Sequence, residues 1–315
     1  MGEIRNVAII GAGTMGHSLA QVFAQGGYDV WLNDVNDEIL ARARELIASN
    51  LDTLIELEIV EKIQKEPILS RIHNTAKLEE AGKKADFVIE AIIEDQAAKK
   101  EIFSRLDKIC PRGAILASNT SFLDIFKFVE TKRPDKVLIT HWFAPPHIVP
   151  LVEIVKGPQT SQETVDAAKA LMIKAGKKPI VITKFLPGFI ANRLQAALGG
   201  EVFNLLDQGY ASPEEIDVAT KASFGLRMPI LGTVKYLDFA GLDLIQKIRS
   251  NQTYKASPQS TRSRTLDQLV SQGKMGVKTG SGYYQYGGRS TEEIMKERDI
   301  KLIKLREFLK EMGEL

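Results

Sequence analysis

A histidine and a glutamate in consecutive apolar runs are the first residues of this sequence that could do chemistry. His141 follows "VLIT", and Glu153 lies inside "LVEIV". Histidine titrates near neutral pH and can take a proton from a hydroxyl group. A carboxylate on one ring nitrogen would fix the tautomer and stabilise the imidazolium. We therefore predict a general-base pair, brought together by a turn at Pro145 and Pro146; the alternative is a structural histidine beside Trp142 and an edge-facing acid.

A glycine motif near the N-terminus predicts a dinucleotide site. The stretch "VAIIGAGTMGHSLAQVFAQGG" places Gly11, Gly13 and Gly16 between an apolar strand and a helix. The three glycines permit a tight turn, close approach of a pyrophosphate, and close packing of helix on strand. Asp34 ends the next strand, where a carboxylate binds ribose hydroxyls and repels a 2′-phosphate. This pattern predicts NAD rather than NADP, although Asp34 could also serve only to cap a loop.

The elements that must position these residues alternate between strands and helices. This alternation indicates a doubly wound, mostly parallel α/β sheet of the Rossmann type, with an inserted helical pair between residues 34 and 86. Strand-like runs almost disappear beyond residue 186, which predicts an all-helical C-terminal domain over 187–315. We predict strands at 7–10, 29–33, 86–91, 114–118, 137–140, 151–155 and 179–183.

Composition limits the class of protein. The 315 residues carry a net charge of +2, so no strong field points to nucleic acid or to a membrane surface. No apolar run approaches the length of a membrane span, and the N-terminus lacks the features of a signal peptide. The single cysteine suits the reducing cytoplasm, which is the expected location. The histidines are scattered without paired acids, so no metal site is expected.

Several stretches together resemble the L-3-hydroxyacyl-CoA dehydrogenase superfamily. They run in order along nearly the whole chain: "GAGTMG", "VIEAIIED", "ASNTS", the histidine with "PLVEIV", "PGFIANRL", "LLDQGYASPEEID", "LDFAGLD" and "GVKTGSGYYQY". The resemblance implies a Rossmann domain, a helical C-terminal domain that forms a homodimer, and NAD-dependent oxidation of a 3-hydroxyl on a small molecule.

The resemblance also implies roles for single residues. His141 would be the base, Glu153 its partner, and Ser121 and Asn192 the groups that hold the reacting oxygen in an interdomain cleft. Without the resemblance, Ser121 reads as the N-cap of a helix over "FLDIFKFV", and Asn192 as an ordinary helix residue. Matching positions that line the cofactor site are Thr14, Met15, Glu94, Lys99 and Asn119.

Two departures from the family pattern concern expected contacts. Ala144 stands where the family usually has an asparagine after "HFF", so one polar contact to substrate or dyad is missing. The stretch "SNLDTLIELEIVEK" is acidic where acyl-CoA enzymes carry lysines for the CoA phosphates. A solvated charged helix face, with CoA held by other groups, is the alternative for the second departure.

A third departure concerns Arg227, in "FGLRMPILGTVKYLDFAGLD". Similar stretches occur in relatives of the λ-crystallin/gulonate dehydrogenase and carnitine dehydrogenase type, and "HW..PPHI.P..E" looks like a relative that oxidises a pyridine carboxylate. Those relatives act on small free carboxylates, which a guanidinium binds through two hydrogen bonds. Arg227 is therefore a candidate substrate residue, and a surface arginine is the plain alternative.

Three functions follow from these observations. The leading hypothesis is an NAD-dependent 3-hydroxyacyl-CoA dehydrogenase that oxidises a short-chain substrate such as 3-hydroxybutyryl-CoA. The second is a dehydrogenase of a small free hydroxy-carboxylate. The third is a non-catalytic protein that binds NAD. A 6-phosphogluconate-type enzyme is excluded because the helix "PGFIANRLQAALGGEVF" lacks the lysine base of that class.

Overall fold

The computed structural model describes residues 2–251 and 260–315. The chain divides into two compact units, one reaching to Ile190 and the other starting at Ala191. We call the first the sheet unit and the second the helical unit. The predicted boundary at residue 186 lies a few positions before this division.

Eight strands form one sheet in the sheet unit. They are β1 (Asn6–Ile10), β2 (Asp29–Asn33), β3 (Ile72–Thr75), β4 (Phe87–Glu90), β5 (Ile115–Ser118), β6 (Val137–Trp142), β7 (Leu151–Lys156) and β8 (Lys178–Ile182). Their order across the sheet is β3-β2-β1-β4-β5-β6-β7-β8. Every neighbouring pair is parallel except β6 with β7. This confirms the predicted mostly parallel Rossmann sheet.

All seven predicted runs are strands, and β3 is the one that sequence reasoning missed. Its sequence "IHNT" buries only its two ends, so it lacks the continuous apolar character of a central strand. It pairs with β2 alone, at the edge of the sheet. The segment predicted as a helical pair therefore also contains a strand.

The helices of the sheet unit lie between these strands. Side chains of Asn36, Asp95 and Ser161 cap the second, fifth and sixth helices, as expected for short polar residues at helix starts. The helices are α1 (Gly16–Gln25), α2 (Asp37–Glu56), α3 (Lys65–Ser70), α4 (Leu78–Gly82), α5 (Gln96–Ile109) and α6 (Gln162–Lys174). Single 3-10 turns occupy Lys62–Gln64, Ile125–Lys127 and Pro134–Lys136.

The helical unit contains seven α-helices in its described part, as the loss of strand-like runs predicted. Capping boxes form at Ser212 with Glu215 and at Ser290 with Glu293. The helices are α7 (Ala191–Gln208), α8 (Pro213–Ala222), α9 (Phe224–Leu231), α10 (Val234–Ala240), α11 (Leu242–Ser250), α12 (Arg264–Ser271) and α13 (Thr291–Glu311).

The two units differ in how many of their residues are buried. Strands β1, β4 and β5 are almost wholly buried, whereas the helical unit buries only Ser263, Ile303 and Leu309 among its described residues. On α13 the apolar residue Leu309 is buried, while Leu302, Leu305 and Met312 are exposed.

Residues 2–251 and 260–315 lack two kinds of feature. None of the helices there combines the length and the apolar character that a bilayer crossing requires. The same residues contain no grouping of three His, Cys, Asp or Glu side chains suited to a metal ion.

Candidate active site

The antiparallel hairpin of β6 and β7 brings the predicted base and acid together. In its register His141 lies directly opposite Glu153. The imidazole Nδ1 is 2.7 Å from Oε2 of the carboxylate. Both side chains are buried, with His141 3% and Glu153 0% exposed. Because opposite residues of an antiparallel pair project to the same face, the strand register itself creates this contact.

The second nitrogen of His141 is available to a substrate. An ionised carboxylate only accepts hydrogen bonds, so Nδ1 carries the hydrogen and Nε2 keeps its lone pair. Within the part of the chain that the structure describes, Nε2 has no hydrogen-bond partner. The rings of Phe143 and Phe189 lie 4.6 Å and 5.1 Å from the imidazole, centroid to centroid. The result is an oriented imidazole with one free basic nitrogen.

Glu153 is held from two sides. Its Oε2 faces His141, and its Oε1 accepts a hydrogen bond of 2.9 Å from the backbone N–H of Ile190. A carboxylate removed from water needs such donors to remain charged. Ile190 is the last residue of the sheet unit.

The glycine loop has the open backbone that a dinucleotide requires. A Cβ on Gly11 would lie 2.6 Å from the carbonyl oxygen of Ala91, and Gly11 has a φ of +100°. A Cβ on Gly16 would lie 1.7 Å from the carbonyl oxygen of Gly11. A Cβ on Gly13 would meet nothing within 4 Å. Two glycines therefore close the turn, and the third leaves space beside the start of α1, where an anion is favoured.

Thr14 and Met15 complete this turn. Met15 is the N-cap residue of α1 and makes no side-chain cap bond. The imidazole Nδ1 of His17, within the first turn of α1, lies 2.8 Å from the carbonyl oxygen of Gly13. Burial lowers the pKa of His17, so this imidazole is neutral at physiological pH.

Asp34 follows β2 and bonds to the same loop. Its Oδ2 accepts a hydrogen bond of 2.8 Å from the backbone N–H of Ala12. The loop-capping role considered from the sequence is therefore real. The other oxygen, Oδ1, bonds to none of the described residues, which leaves it free for a ribose hydroxyl.

A buried ionic network lies behind the carboxyl ends of β4 and β5. Lys99 is fully buried, and its Nζ lies 2.6 Å from Oε1 of Glu90 and 3.2 Å from Oε2 of Glu94. Ser118 donates a hydrogen bond of 2.5 Å to the other oxygen of Glu90. The ammonium of Lys99 thus bonds to both acids, and its contact with Glu94 holds that carboxylate in place. Sequence reasoning missed Glu90, although an acid ending the buried run "VIE" was a signal.

Glu94 organises the loop that follows β5. Its Oε1 accepts from the hydroxyl of Thr120 at 2.5 Å and from the backbone N–H of Ser121 at 2.8 Å. Burial alone would raise the pKa of Glu94, but these hydrogen bonds and the charge of Lys99 outweigh it and lower the pKa. Glu94 is therefore an ionised acid, and its side chain is 27% exposed.

Asn119 and Ser121 stand on that loop. The side-chain oxygen of Asn119 accepts a hydrogen bond of 3.0 Å from the backbone N–H of Trp142, next to His141. The helix considered over "FLDIFKFV" is wrong, because only the 3-10 turn at Ile125–Lys127 forms and Ser121 caps nothing. The half-buried hydroxyl of Ser121 has no hydrogen bond to any described residue, so it is free to bind a ligand.

Asn192 and Arg227 belong to the helical unit. Asn192 is in the first turn of α7, and its amide bonds to no other residue in the described ranges. The guanidinium of Arg227 lies 4.8 Å from the centre of the Tyr236 ring. Arg227 has no ion-pair partner in residues 2–251 and 260–315. It lines a cavity of about 210 Å³ together with Phe224, Met228, Gly232, Thr233 and Tyr236.

The acidic stretch "SNLDTLIELEIVEK", at the end of α2 and just beyond it, forms contacts with nearby residues. Asp52 forms an ion pair of 2.5 Å with Lys65, and Glu61 caps the 3-10 turn at Lys62–Gln64. These contacts agree with a solvated charged surface. No lysine row of the kind expected for CoA phosphates accompanies them in "SNLDTLIELEIVEK".

Comparison with protein families decides the relationship. The model for the 3-hydroxyacyl-CoA dehydrogenase NAD binding domain matches residues 6–185. The chain belongs to the 3-hydroxyacyl-CoA dehydrogenase family. The model for the C-terminal domain of that family matches residues 188–286. The protein is therefore an NAD-dependent oxidoreductase of the type that acts on CH–OH groups.

Individual relatives and a solved structure are similar over nine-tenths or more of the chain. The mitochondrial hydroxyacyl-coenzyme A dehydrogenase of Homo sapiens is 37% identical, over 90% of this chain and 91% of its own. A 5-formyl-3-hydroxy-2-methylpyridine 4-carboxylate 5-dehydrogenase of Mesorhizobium japonicum is 31% identical, over 97% of this chain and 98% of its own. A crystal structure of a pyridine-carboxylate dehydrogenase of that kind, described as an NAD⁺-dependent dismutase, matches with a TM-score of 0.87 and 30% identity, covering 98% and 99%.

Proposed function

We propose that the protein oxidises the 3-hydroxyl of a short-chain 3-hydroxyacyl-CoA, such as 3-hydroxybutyryl-CoA, to a 3-oxo group with NAD as acceptor. The observation that carries this proposal is the contact between His141 and Glu153, which leaves Nε2 as a free base. The hydroxyacyl-CoA dehydrogenase of Homo sapiens, similar over 90% of the chain, supports the substrate class.

In this proposal each residue has one task. The Nε2 atom of His141 takes the hydroxyl proton, and Glu153 stabilises the imidazolium that results. Ser121 and Asn192 donate hydrogen bonds to the substrate oxygen as it gains carbonyl character. NAD, when bound, supplies the nicotinamide ring that accepts the hydride.

The cofactor is assigned to the carboxyl edge of the sheet. The open backbone at Gly13, in the turn between Gly11 and Gly16, supports phosphate binding there. The free Oδ1 of Asp34 supports a bond to the ribose. We assign the remaining lining to Thr14, Met15, Glu94 and Asn119, with Lys99 holding Glu94 in place.

A free hydroxy-carboxylate is a second candidate substrate, and Arg227 is the observation that favours it. Its guanidinium is exposed, stacked on Tyr236 and without an ion pair among the described residues. A cavity with one cation and apolar walls suits a small carboxylate. The pyridine-carboxylate dehydrogenase of Mesorhizobium japonicum is similar over 97% of the chain. The match to the family model for the C-terminal domain, by contrast, stops at residue 286.

We also propose that the protein is a homodimer joined through its helical unit. The helices α9 to α11 expose Leu226, Val234, Phe239 and Leu242, of which Val234 is 75% and Phe239 70% exposed. A unit with so few buried residues needs a second apolar surface, and two-fold self-association is the commonest way to provide one.

A single NAD-reduction screen tests the proposal. Purified enzyme is mixed with NAD and, separately, with 3-hydroxybutyryl-CoA, 3-hydroxybutyrate, gulonate and carnitine, and NADH formation is followed by absorbance. We expect turnover of the thioester, and a fall in kcat of about 100- to 10,000-fold in His141→Ala. His73→Ala, on the edge strand β3, is the matched control and keeps wild-type kcat.

The outcomes separate the three candidate functions. Turnover of free acids alone, lost in Arg227→Ala but not in an exposed control such as Arg42→Ala, would select the hydroxy-carboxylate function. NAD binding by calorimetry without turnover of any substrate would select the non-catalytic function. Full activity of His141→Ala would rule out the proposed mechanism.

A further inference from the structure

We infer that Phe189 is a positioning residue for the histidine–glutamate pair, and that the last turn of the sheet unit sets the geometry of both members. This inference rests on the proposed role of His141 as the base. It concerns a fully buried residue that acts through the two side chains it supports.

The backbone at Phe189 is in an unfavourable conformation. Its φ is +49°, in the left-handed region that bulky residues rarely adopt, and the preceding Gly188 has a φ of +75°. Glycine could occupy position 189 without strain, yet a phenylalanine stands there and is fully buried. Such strain persists where the surroundings impose it, commonly beside a functional site.

This turn of the chain reaches both members of the pair. The ring of Phe189 lies 5.1 Å from the His141 imidazole at an interplanar angle of 52°. The next residue, Ile190, donates its backbone N–H to Oε1 of Glu153 at 2.9 Å. One strained residue therefore directs a ring towards the base and the following N–H towards the acid.

The two contacts have different physical effects. The ring, with Phe143 on another side, limits the rotation of the imidazole and keeps water from it. The N–H of Ile190 orients the carboxylate so that Oε2 faces Nδ1. Loss of the ring would let the imidazole turn and would let the 185–190 segment relax away from Glu153.

A purely structural role for Phe189 is the competing explanation, because the residue also belongs to an apolar cluster of the sheet unit. Phe185 provides the comparison. It is partly buried, packs against the same cluster and lies edge-on to Phe189 at 5.9 Å, but no ring contact joins it to His141. Phe185→Leu therefore perturbs the same core without removing the contact to the base.

The test compares Phe189→Leu, Phe189→Gly and Phe185→Leu in the full-length enzyme. We expect kcat to fall about tenfold or more in both Phe189 variants, since small misplacements of a base are costly, while KM and NAD affinity change little. Phe185→Leu lowers the melting temperature but keeps kcat. Phe189→Leu keeps most of the buried volume and so guards against misfolding, whereas Phe189→Gly removes the ring but relieves the left-handed backbone.

A spectroscopic signal reports the positioning directly. The hydrogen between Nδ1 and Glu153 gives a far-downfield proton resonance, assigned by its loss in His141→Ala. We expect this resonance to broaden or shift in both Phe189 variants and to persist in Phe185→Leu.

Two results would overturn the inference. One is wild-type kcat and an unchanged resonance in Phe189→Leu; the other is an equal loss of kcat and of the resonance in Phe189→Leu and Phe185→Leu, which would show that the ring serves only the core. Either result, with His141→Ala still inactive, would leave the proposed function intact. An active His141→Ala enzyme would instead remove the basis of both.

Discussion

At the scale of single residues, the burial of Glu153 explains why it must stay charged and how it controls its partner. It has no exposed surface and receives donors on both oxygens. An amide in its place would present an NH2 group or a weaker acceptor to Nδ1. The imidazole would then favour the tautomer with its hydrogen on Nε2, which cannot act as a base.

Replacing the acid tests this control. We expect Glu153→Gln to lower kcat by about 100-fold or more, with NAD affinity unchanged, because the glycine loop is untouched. Steady-state kinetics and NAD titration measure both quantities. Glu130→Gln removes a carboxylate from an exposed ion pair with Lys100 and serves as control. A Glu153→Gln enzyme within twofold of wild type would contradict the tautomer argument.

Part of the site could be predicted from the sequence because polar residues stand in otherwise apolar runs. Polar side chains in apolar strand runs pointed to His141 and Glu153, and the register of β6 with β7 places them in contact. Phe189 gave no such signal, because the sequence does not reveal that an apolar residue has a left-handed backbone angle. Glu90 was overlooked because its partner Lys99 is on α5, and a helix face does not reveal which side chain turns inward.

At the scale of elements, the loop between β1 and α1 contains glycines that differ in role. A methyl group on Gly16 would collide with the backbone of Gly11, and one on Gly13 would enter open space. The first glycine therefore serves folding, and we assign the second to the ligand.

Alanine substitution at each glycine should give different results. We expect Gly16→Ala to destabilise the protein by about 1–3 kcal/mol and to impair NAD binding. Gly13→Ala should keep the wild-type melting temperature and weaken NAD binding roughly tenfold, equivalent to about 1.4 kcal/mol. Thermal melts and calorimetry distinguish the two. Equal loss of stability in both variants would refute the separation of roles.

The carboxylate of Asp207 links α7 to the start of α12. Asp207 accepts from the backbone N–H of Thr265 at 2.8 Å and from its hydroxyl at 2.7 Å. Ser263 and the N–H of Arg264 donate to the same carboxylate. These bonds lower the pKa of Asp207 to about 2.

The lowered pKa makes this contribution to stability depend on pH. An unfolded aspartate titrates near pH ~3.9, so the stabilisation is complete above that pH and is lost as the pH falls towards about 2. We expect the difference in urea midpoint between wild type and Asp207→Asn to be large at about pH 7 and smaller at about pH 3. A difference that does not change between these pH values would contradict the assignment.

Most elements followed from the alternation of apolar runs with helical patterns, and the exception has a physical reason. The edge strand β3 pairs on one side only, so its middle residues His73 and Asn74 need not be apolar. The capping boxes at Ser212 and Ser290 were predictable because both partners of each box are local in sequence.

At the scale of the whole molecule, the exposed apolar residues of the helical unit determine the expected assembly. The sequence alone could not separate a dimer face from a covered core, because both use the same residue types. The described structure leaves Val234 and Phe239 largely exposed, which favours the proposed homodimer.

Charge placed on that face should separate the subunits. We expect wild type to sediment at about twice the 34.9 kDa chain mass at micromolar concentration, and the double variant Val234→Glu/Phe239→Glu to sediment as single chains. Ile63→Glu adds the same charge to an exposed position of the sheet unit and should leave the mass unchanged. A wild-type protein that sediments at the chain mass would rule out the dimer.

The reversal of direction between β6 and β7 has a consequence for how such a site tolerates change. Because the base and its acid face each other across one hairpin, residues 144–150 of the linking segment can be exchanged without separating the pair, provided that the pairing of the strands and the ring of Phe143 beside His141 are kept. Substrate preference could then change among descendants through substitutions in this segment alone, while the proton-transfer pair of His141 and Glu153 is inherited unchanged.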